Sequence, residues 1–423
     1  VFGWWNRYTE FWKGGEGDVK LPETVKNLTK DQVLEKIRQA DLRDYEVYPV
    51  LLEDAIVKAM KYQRSLPQEL TVTAALNNND FSHALLEYLK KEPEKILDGI
   101  TILGYGVGAD HLILQLPEES EYLAMQLKEL LQDYDISVVF GMVDMRKNRN
   151  QIVMHIMTAA DISDLFQNKK KEGVWLSVRR EDTCSPLEFY PYGTTFRQII
   201  GSEEEVRYIT LGQQVYTEEE LDQPMDAQTR LYDAVITVYK KDCCVLQETE
   251  KRLLQYRRES CGKCTFCREG LIQLHRMLTD AIEGHGRKEY LSLIREIGSA
   301  MAYSNQCSIG CQGADVVLQT LEKFPSEYED HIVKHKCKNE VCEAFASMYI
   351  DPVKCTGCME CMDVCEAGAI EGKSGYIHML DEYECTKCGK CTEVCEEGAI
   401  VHTTGRVPKL PTKLTRCGRF KKR

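Results

Sequence analysis

Residues 355–365, CTGCMECMDVC, and residues 385–395, CTKCGKCTEVC, share the spacing C-x2-C-x2-C-x3-C. Each run is followed by C-E-x-G-A-I counted from its last cysteine, so residues 349–402 read as a tandem repeat of two short units. A [4Fe–4S] cubane needs four thiolates, and three closely spaced cysteines can wrap one face of it. In two-cluster arrangements the fourth cysteine of each run ligates the other cluster. One cubane therefore takes Cys355, Cys358, Cys361 and Cys395, and the other takes Cys385, Cys388, Cys391 and Cys365. A zinc ribbon is the competing reading, and eight cysteines in a duplicated spacing argue against it. Glu366 and Glu396 replace the proline that usually follows the fourth cysteine. Negative charge there resists an added electron and predicts low potentials within a span of roughly −700 to +450 mV.

A third cysteine group lies upstream. Residues 259–270, ESCGKCTFCREG, supply Cys261, Cys264 and Cys267, and CSIGC supplies Cys307. Between Cys244 and His335 the apolar spacing is helical almost throughout, as in VLQETEKRLLQYRRES and ADVVLQTLEKF, which predicts a four-helix bundle over 244–335. Such a bundle can close around one cubane, although the C-x2-C-x2-C spacing alone also suits zinc.

Cys337 and Cys342 form a C-x4-C pair in the linker 336–348. With Cys311 and one histidine of His331, His335 and His378 they could complete a tetrahedral zinc site, His378 being the favoured partner. Cys184, Cys243, Cys244 and Cys417 lack ligand spacing and read as core or surface thiols.

The remaining composition narrows the class. The chain has 423 residues, 43% hydrophobic and 29% charged, enough for several domains with their own cores. Nineteen cysteines without a secretory leader pattern at VFGWWNRYTEFWKGG point to metal sites in a reducing compartment, and to the cytoplasm. No run approaches the length of a membrane span. A formal charge of −13 disfavours nonspecific nucleic-acid binding. The segment 403–423 departs from this, with eight Lys or Arg and no acid. It reads as a solvated end or as a strap for an acidic partner.

Residues 1–32 carry Trp4, Trp5 and Trp12 and predict an aromatic extension that packs on the chain itself or on another subunit. Residues 33–172 are mixed α/β, with helical spacing in HALLEYLKKEPEKILDGI and YLAMQLKELLQDY and strand-like HLILQL, ISVVFGMV and QIVMHIM. Gly104, Gly106 and Gly108 end a helix and enter a strand, the reverse of a dinucleotide loop, so they read as packing residues. Residues 173–243 form a smaller module, in which LEFYPYGTTFRQII is strand, turn and short helix and VRYITLG the returning strand. No constellation of nucleophile, base and acid emerges.

ESCGKCTFCREG followed by CSIG resembles the cluster-binding part of the NADH-binding flavoprotein subunit of respiratory complex I. The chain is similar, more closely, to the corresponding subunit of electron-bifurcating hydrogenases, in which a two-cluster ferredoxin domain follows the same bundle. The linking stretch HKCKNEVCEAFASMYIDPVKC shares that similarity. The resemblance implies a [4Fe–4S] cluster on Cys261, Cys264, Cys267 and Cys307, and a ubiquitin-like β-grasp module containing PYGTTFRQII and EELDQPMDA. It extends to KEPEKILDGITILGYGVGADHLILQLPEE in the flavin domain. There, however, Ala40–Pro49 contains no glycine where the FMN-cradling loop belongs, and ALNNNDFSH (75–83) replaces the family's acidic flavin segment. Backbone N–H groups approach a phosphate closely only where side chains are absent. The expectation is thus a multidomain α+β chain: a degenerate flavin-type α/β domain without FMN or NAD, a β-grasp module, a cluster-bearing bundle and a two-cluster ferredoxin domain. It would relay single electrons without catalysing a reaction itself, between a partner subunit of a redox complex and a soluble ferredoxin or another redox centre. The rival expectation is a divergent subunit that still binds flavin or NAD(P)H and bifurcates electrons.

Overall fold

Near-continuous apolar runs such as Val72-Thr73-Ala74-Ala75 are what a parallel strand covered on both faces requires, and in the computed structural model they form the centre of a five-stranded sheet. The structure describes residues 10–12, 20–45, 50–65, 68–143, 150–201, 205–231, 233–304, 307–404 and 407–420. Trp4, Trp5 and residues 46–49 of the Ala40–Pro49 segment lie outside the described residues. The chain divides into two units: residues 1–241, 252–274 and 294–323, and residues 242–251, 275–293 and 324–423.

In the first unit the sheet comprises β1 (Glu10–Trp12), β2 (Thr71–Ala75), β3 (His111–Leu116), β4 (Ser137–Phe140) and β5 (Gln151–His155), in the order β1-β4-β3-β2-β5. All neighbours are parallel except β1 on β4. Helices Pro93–Val107 and Ile156–Phe166 pack together so tightly that a Cβ on Gly99 would lie 1.8 Å from the Ala159 carbonyl oxygen. Gly104 and Gly106 sit in the same helix against Leu112 and Val33, and Gly108 closes it in the left-handed conformation. The glycines are therefore packing and capping residues.

His155 ends β5 and caps the next helix, its Nδ1 accepting the Met157 N–H at 3.1 Å. Its Nε2 is buried without a hydrogen-bond partner among the described residues, and burial lowers its pKa to about 3. A histidine neutral in the fold but ionisable when unfolded costs stability as pH falls from the unfolded value of 6.5 toward 3, because the unfolded chain then binds the extra proton. His155→Asn keeps a capping side chain and removes that titration. The variant should lose less stability than the native chain between pH 7.5 and 5, by up to about 2 kcal/mol, as read from paired denaturant melts. Equal losses would place the acid sensitivity elsewhere.

The second sheet has six strands: β6 (Gly173–Arg180), β7 (Glu188–Pro191), β8 (Val206–Leu211), β9 (Gln214–Thr217) and β10 (Val235–Lys240) run in the order β7-β6-β10-β8-β9, and the short strand Thr183–Cys184 pairs with β6 off that path. The last strand enters the middle, parallel to β6 and antiparallel to β8. Thr195 and Gln198 form a capping box that starts the short helix Phe196–Ile200 after the β7 turn.

Helices Val245–Glu259, Thr265–Ile282, Tyr290–Ser304, Ser308–Lys323 and Pro325–Ile332 follow. In the second unit two similar halves carry the short helices Glu360–Asp363 and Lys390–Val394. Strand Ser347–Ile350 pairs antiparallel with Ile400–Thr403, and Ile370–Glu371 pairs with Met379–Leu380. Met348, Ile350, Ile377 and Ile400 pack with Cys355, Cys361 and Cys391 in one core. No helix among the described residues is long and apolar enough to cross a membrane. The chain is thus a mixed α/β multidomain protein with a parallel sheet and a ferredoxin-like domain.

Candidate metal centres

The tandem cysteines meet across the halves. Cys355, Cys358, Cys361 and Cys395 line one cavity, and Cys365, Cys385, Cys388 and Cys391 line a second of about 290 Å³. Burial pushes the Cys361 thiol up to about 12, and the neighbouring charges it feels are those of Cys355, Cys358 and Cys395 before Cys391. Cys391 is likewise raised by burial, with Cys385 and Cys365 as its charged neighbours. Each set therefore draws its fourth sulfur from the other half. Metal binding displaces the proton of such a thiol, and four cysteines round each cavity are a donor set that suits a cluster.

Backbone conformation shapes these cavities. Gly357, at φ +76°, faces the 375–376 backbone so closely that a Cβ would lie 2.7 Å from the Tyr376 N and O atoms. Met359 and Gly389 occupy equivalent positions, and both start their helices in the left-handed region, at φ +82° and +79°. A non-glycine residue there costs about 1–2 kcal/mol. The Met359 sulfur lies 3.3 Å from His378 Nε2.

Amide groups also reach the sulfurs. The N–H groups of His378, Lys387 and Ala399 donate to Cys355, Cys385 and Cys395 at 3.5, 3.4 and 3.3 Å. Such bonds favour the thiolate and raise a cluster's potential. Opposing them, Glu396 and Glu397 line the Cys355 cavity, while Glu366 lines the other and pairs with Lys390.

In the first unit Cys264 precedes helix Thr265–Ile282 and Cys267 lies in its first turn, where burial raises its thiol against a hydrogen bond with Ser260, and it feels the charges of Cys264 and Cys261. Arg268 Nη1 donates to the Gly262 carbonyl at 3.0 Å and ties the Cys261–Cys264 loop to the helix. Cys307 stands at the start of helix Ser308–Lys323. Burial pushes its thiol up to about 11 against N–H groups of Ile309 and Gly310, and it feels the charges of Cys261 and Cys267. Cys311, one turn on, is near Cys307 and Cys264, and its thiol reaches the Ala302 carbonyl at 3.5 Å.

A fourth group has different dimensions. The ligand atoms of Cys244, His331, Cys337 and Cys342 all lie within 4.8 Å of one another, and all four residues are buried. Tetrahedral zinc with Zn–S near 2.3 Å separates its donors by about 3.8 Å, whereas a cubane holds its thiolates further apart. His331 Nε2 faces Cys244 Sγ at 3.3 Å and Cys342 Sγ at 3.5 Å. Its Nδ1 donates to the Glu327 carbonyl at 2.9 Å, leaving Nε2 as the ligand atom. Hydrogen bonds from Cys244 and Cys342 drive the Cys337 thiol far down. Burial opposes protonation of His331, but hydrogen bonds with Cys244 and Cys337 outweigh it and bring its pKa up to about 10. Three sulfurs and an imidazole packed this closely in a dry interior suit one Cys3His metal ion.

Of the residues the sequence offered for zinc, the structure brings Cys337, Cys342 and His331 together, joined by Cys244. Cys311 belongs beside Cys264 and Cys307, and His378 lies against Cys361 at 3.4 Å, in the ferredoxin-like core. His335 is exposed. Cys244, read as a plain thiol, takes the place of Cys311, and His331 that of His378.

The first unit also contains a cavity of about 570 Å³ bounded by Leu76–Asn78, Leu116–Glu119 and Gly141–Val143, with Ser260 and Cys261 on its wall. These segments follow the carboxyl ends of β2, β3 and β4, where open α/β sheets commonly bind ligands. Its acids include Asp80, Glu118, Glu119 and Glu259, against the cation Arg258. Asn77 and Asn78 are engaged with the Tyr45 and Val143 backbones, while the Asn79 carboxamide is buried without a partner among the described residues.

Comparison with known proteins gives these groups a class. Residues 248–331 match the NADH-ubiquinone oxidoreductase-F iron-sulfur binding region, and residues 354–400 match the 4Fe-4S dicluster domain. The chain carries both iron–sulfur domains. It is 32% identical over 143 residues to NADP-reducing hydrogenase subunit HndC of Solidesulfovibrio fructosivorans, covering 34% of this chain and 29% of that protein. It is 29% identical over 162 residues to the F subunit of the NADH-quinone oxidoreductase of Streptomyces coelicolor, covering 35% of this chain and 36% of that protein. The match thus spans about a third of each relative's length. The crystal structure of an NAD+-reducing [NiFe]-hydrogenase in the H2-reduced state shares the fold, with a TM-score of 0.60, 15% identity, and coverage of 72% of this chain and 63% of that one.

Proposed function

We propose that the chain is a three-cluster relay subunit of a cytoplasmic multisubunit oxidoreductase, passing single electrons between a catalytic or flavin-bearing partner and a second redox centre such as a soluble ferredoxin. The observation that carries this reading is the pair of crossed cysteine sets, each lining its own cavity. Each [4Fe–4S] group would supply one-electron redox chemistry. The protein's part is to hold the clusters with Cys355, Cys358, Cys361 and Cys395, with Cys385, Cys388, Cys391 and Cys365, and with Cys261, Cys264, Cys267 and Cys307. Amide donors and nearby carboxylates then set their potentials. The finer architecture that goes with this reading is a β-grasp module at 173–243, a cluster-bearing helical bundle at 244–335, and a flavin-type domain reduced to a scaffold. A zinc ion on Cys244, His331, Cys337 and Cys342 would staple the second unit.

The cavity beside Cys261 supports a second reading, a divergent flavin- or NAD(P)H-binding subunit that bifurcates electrons, because its volume is ligand-sized. Its acidic lining fits a phosphate-bearing cofactor poorly, and so does the lack of glycine in Ala40–Pro49. Purified protein should contain about twelve iron atoms per chain in reducible clusters and show no flavin absorbance. Stoichiometric FMN would replace the relay reading with the second one. Clusters that cannot be reversibly reduced would eliminate both.

A further inference from the structure

The two cysteine halves repeat in sequence but not in exposure. Asp351 and Asp381 each stand four residues before the first cysteine of their run. Each carboxylate accepts the N–H two residues on, from Val353 at 2.8 Å and from Tyr383 at 2.9 Å. Both turns present that next residue to solvent, Val353 at 57% exposure and Tyr383 at 99%. Around the shared turn the halves diverge. Asp351, Pro352, Cys355 and Gly357 are buried, whereas Asp381, Glu382 and Lys387 are exposed at the matching positions and Cys385 is half-buried. The second cysteine of each run, Cys358 or Cys388, is exposed in both.

Backbone contacts account for the difference. The Gly375 N–H donates to the Gly357 carbonyl at 3.1 Å, within the Cys355–Cys358 loop. Residues 375–377 are backed in turn by the segment 407–420. The Ile377 N–H donates to the Thr415 carbonyl at 2.9 Å, and the Cys417 N–H to the Gly375 carbonyl at 3.1 Å. The Cys385–Cys388 loop has no such backbone partner among the described residues. Its rim is acidic, because Asp381, Glu382 and Glu384 flank Tyr383. The cations beside it are engaged, Lys387 with the Ala346 carbonyl and Lys390 with Glu366.

We propose that the open turn 381–384, with Tyr383 at its tip, is where a redox protein with a basic face docks, so that electrons cross the boundary of this chain at the cluster of Cys385, Cys388, Cys391 and Cys365. A fixed, fully exposed aromatic gives contact area at low entropic cost. The three carboxylates steer a cationic face toward it. In each crossing the cluster and the partner's centre exchange one electron, one being oxidised as the other is reduced. The covered Cys355 half is then an internal step. The inference rests on the relay reading and names the end at which that relay meets its partner.

The test uses the full-length, cluster-loaded chain with cytochrome c, a basic haem protein, as the probe. Calorimetry at low ionic strength reads the binding of ferrocytochrome c, and stopped-flow absorbance reads the reduction of ferricytochrome c by the pre-reduced chain. Glu382→Lys combined with Glu384→Lys should weaken binding and slow reduction by about tenfold each. Tyr383→Ala should weaken binding with iron content unchanged, and Tyr383→Phe should restore it. Glu396→Lys combined with Glu397→Lys makes the same charge change beside the Cys355 cavity and should leave both readouts within about twofold. Equal losses from the two pairs, or no loss from the first, would overturn the docking turn. Iron-loaded clusters that cannot be reversibly reduced would instead overturn the relay reading, and the binding comparison would still decide where a basic protein docks.

Discussion

Cys361→Ala and Cys395→Ala should each remove about four of about twelve iron atoms, and the double variant should lose no more than either alone. The two residues lie in different repeats, so independent clusters within each half would make their effects add. The crossed arrangement, in which Cys361 feels Cys355, Cys358 and Cys395 together, makes them redundant. By the same logic Cys361→Ala combined with Cys391→Ala should lose about eight irons, because those residues serve different cavities. Iron and sulfide assays with EPR of the dithionite-reduced protein read the outcome directly. Additive loss in the Cys361/Cys395 pair would disprove crossed ligation.

The second large effect concerns the buried Cys3His group. Native protein purified without chelator should contain about one zinc per chain, and Cys342→Ser or His331→Ala should abolish it while leaving the iron content near the native value. Removing one member leaves the other buried donors without a common partner. Structural zinc contributes roughly 10–16 kcal/mol in zinc-finger peptides, so the second unit should melt at markedly lower temperature even if only part of that applies here. Replacing the Glu327 carbonyl contact is impractical, since it is backbone, but cobalt substitution offers a spectroscopic check. A Cys3His site gives tetrahedral Co²⁺ bands with thiolate charge transfer. A chain that holds full iron yet binds neither metal would sink the assignment.

The grouping of the tandem cysteines into two sets, each lining its own cavity, was legible because the spacing is local. Three cysteines two residues apart wrap one object, and the duplication supplies the partner for the fourth. The buried tetrahedron was only half legible. Cys337 and Cys342 announce themselves by spacing, but Cys244 joins His331 from 87 residues away, at the start of a helix whose other residues carry no ligand pattern. Sequence spacing therefore favoured Cys311, which the fold commits to the other cysteine group. His378 drew attention because it lies in the spacer between the repeats, yet that spacer turns its ring into the ferredoxin core against Cys361 and Met359.

Local propensity also set the limits elsewhere. HALLEYLKKEPEKILDGI has helical spacing throughout, but the residue before a proline avoids the helical region. Glu92, at φ −131° and ψ 52°, accordingly splits it into Leu86–Lys91 and Pro93–Val107. The insertion of β10 between β6 and β8 has no local signature, because strand order is decided by long-range pairing. The landing of the basic segment on its own unit was equally hidden. It depends on two backbone hydrogen bonds, Ile377 N–H to Thr415 and Cys417 N–H to Gly375, which define the bridge between Tyr376 and Arg416.

The crossing of the two cysteine runs has a consequence for biogenesis. Cys355, Cys358 and Cys361 leave the ribosome well before Cys395, yet their cavity lacks its fourth wall until that residue arrives. Under the proposed crossed ligation, neither cluster would be locked in place while the segment is half made. Loading would then wait for the finished segment, and a nascent chain stalled between the repeats would hold three cysteines without the fourth wall of their cavity.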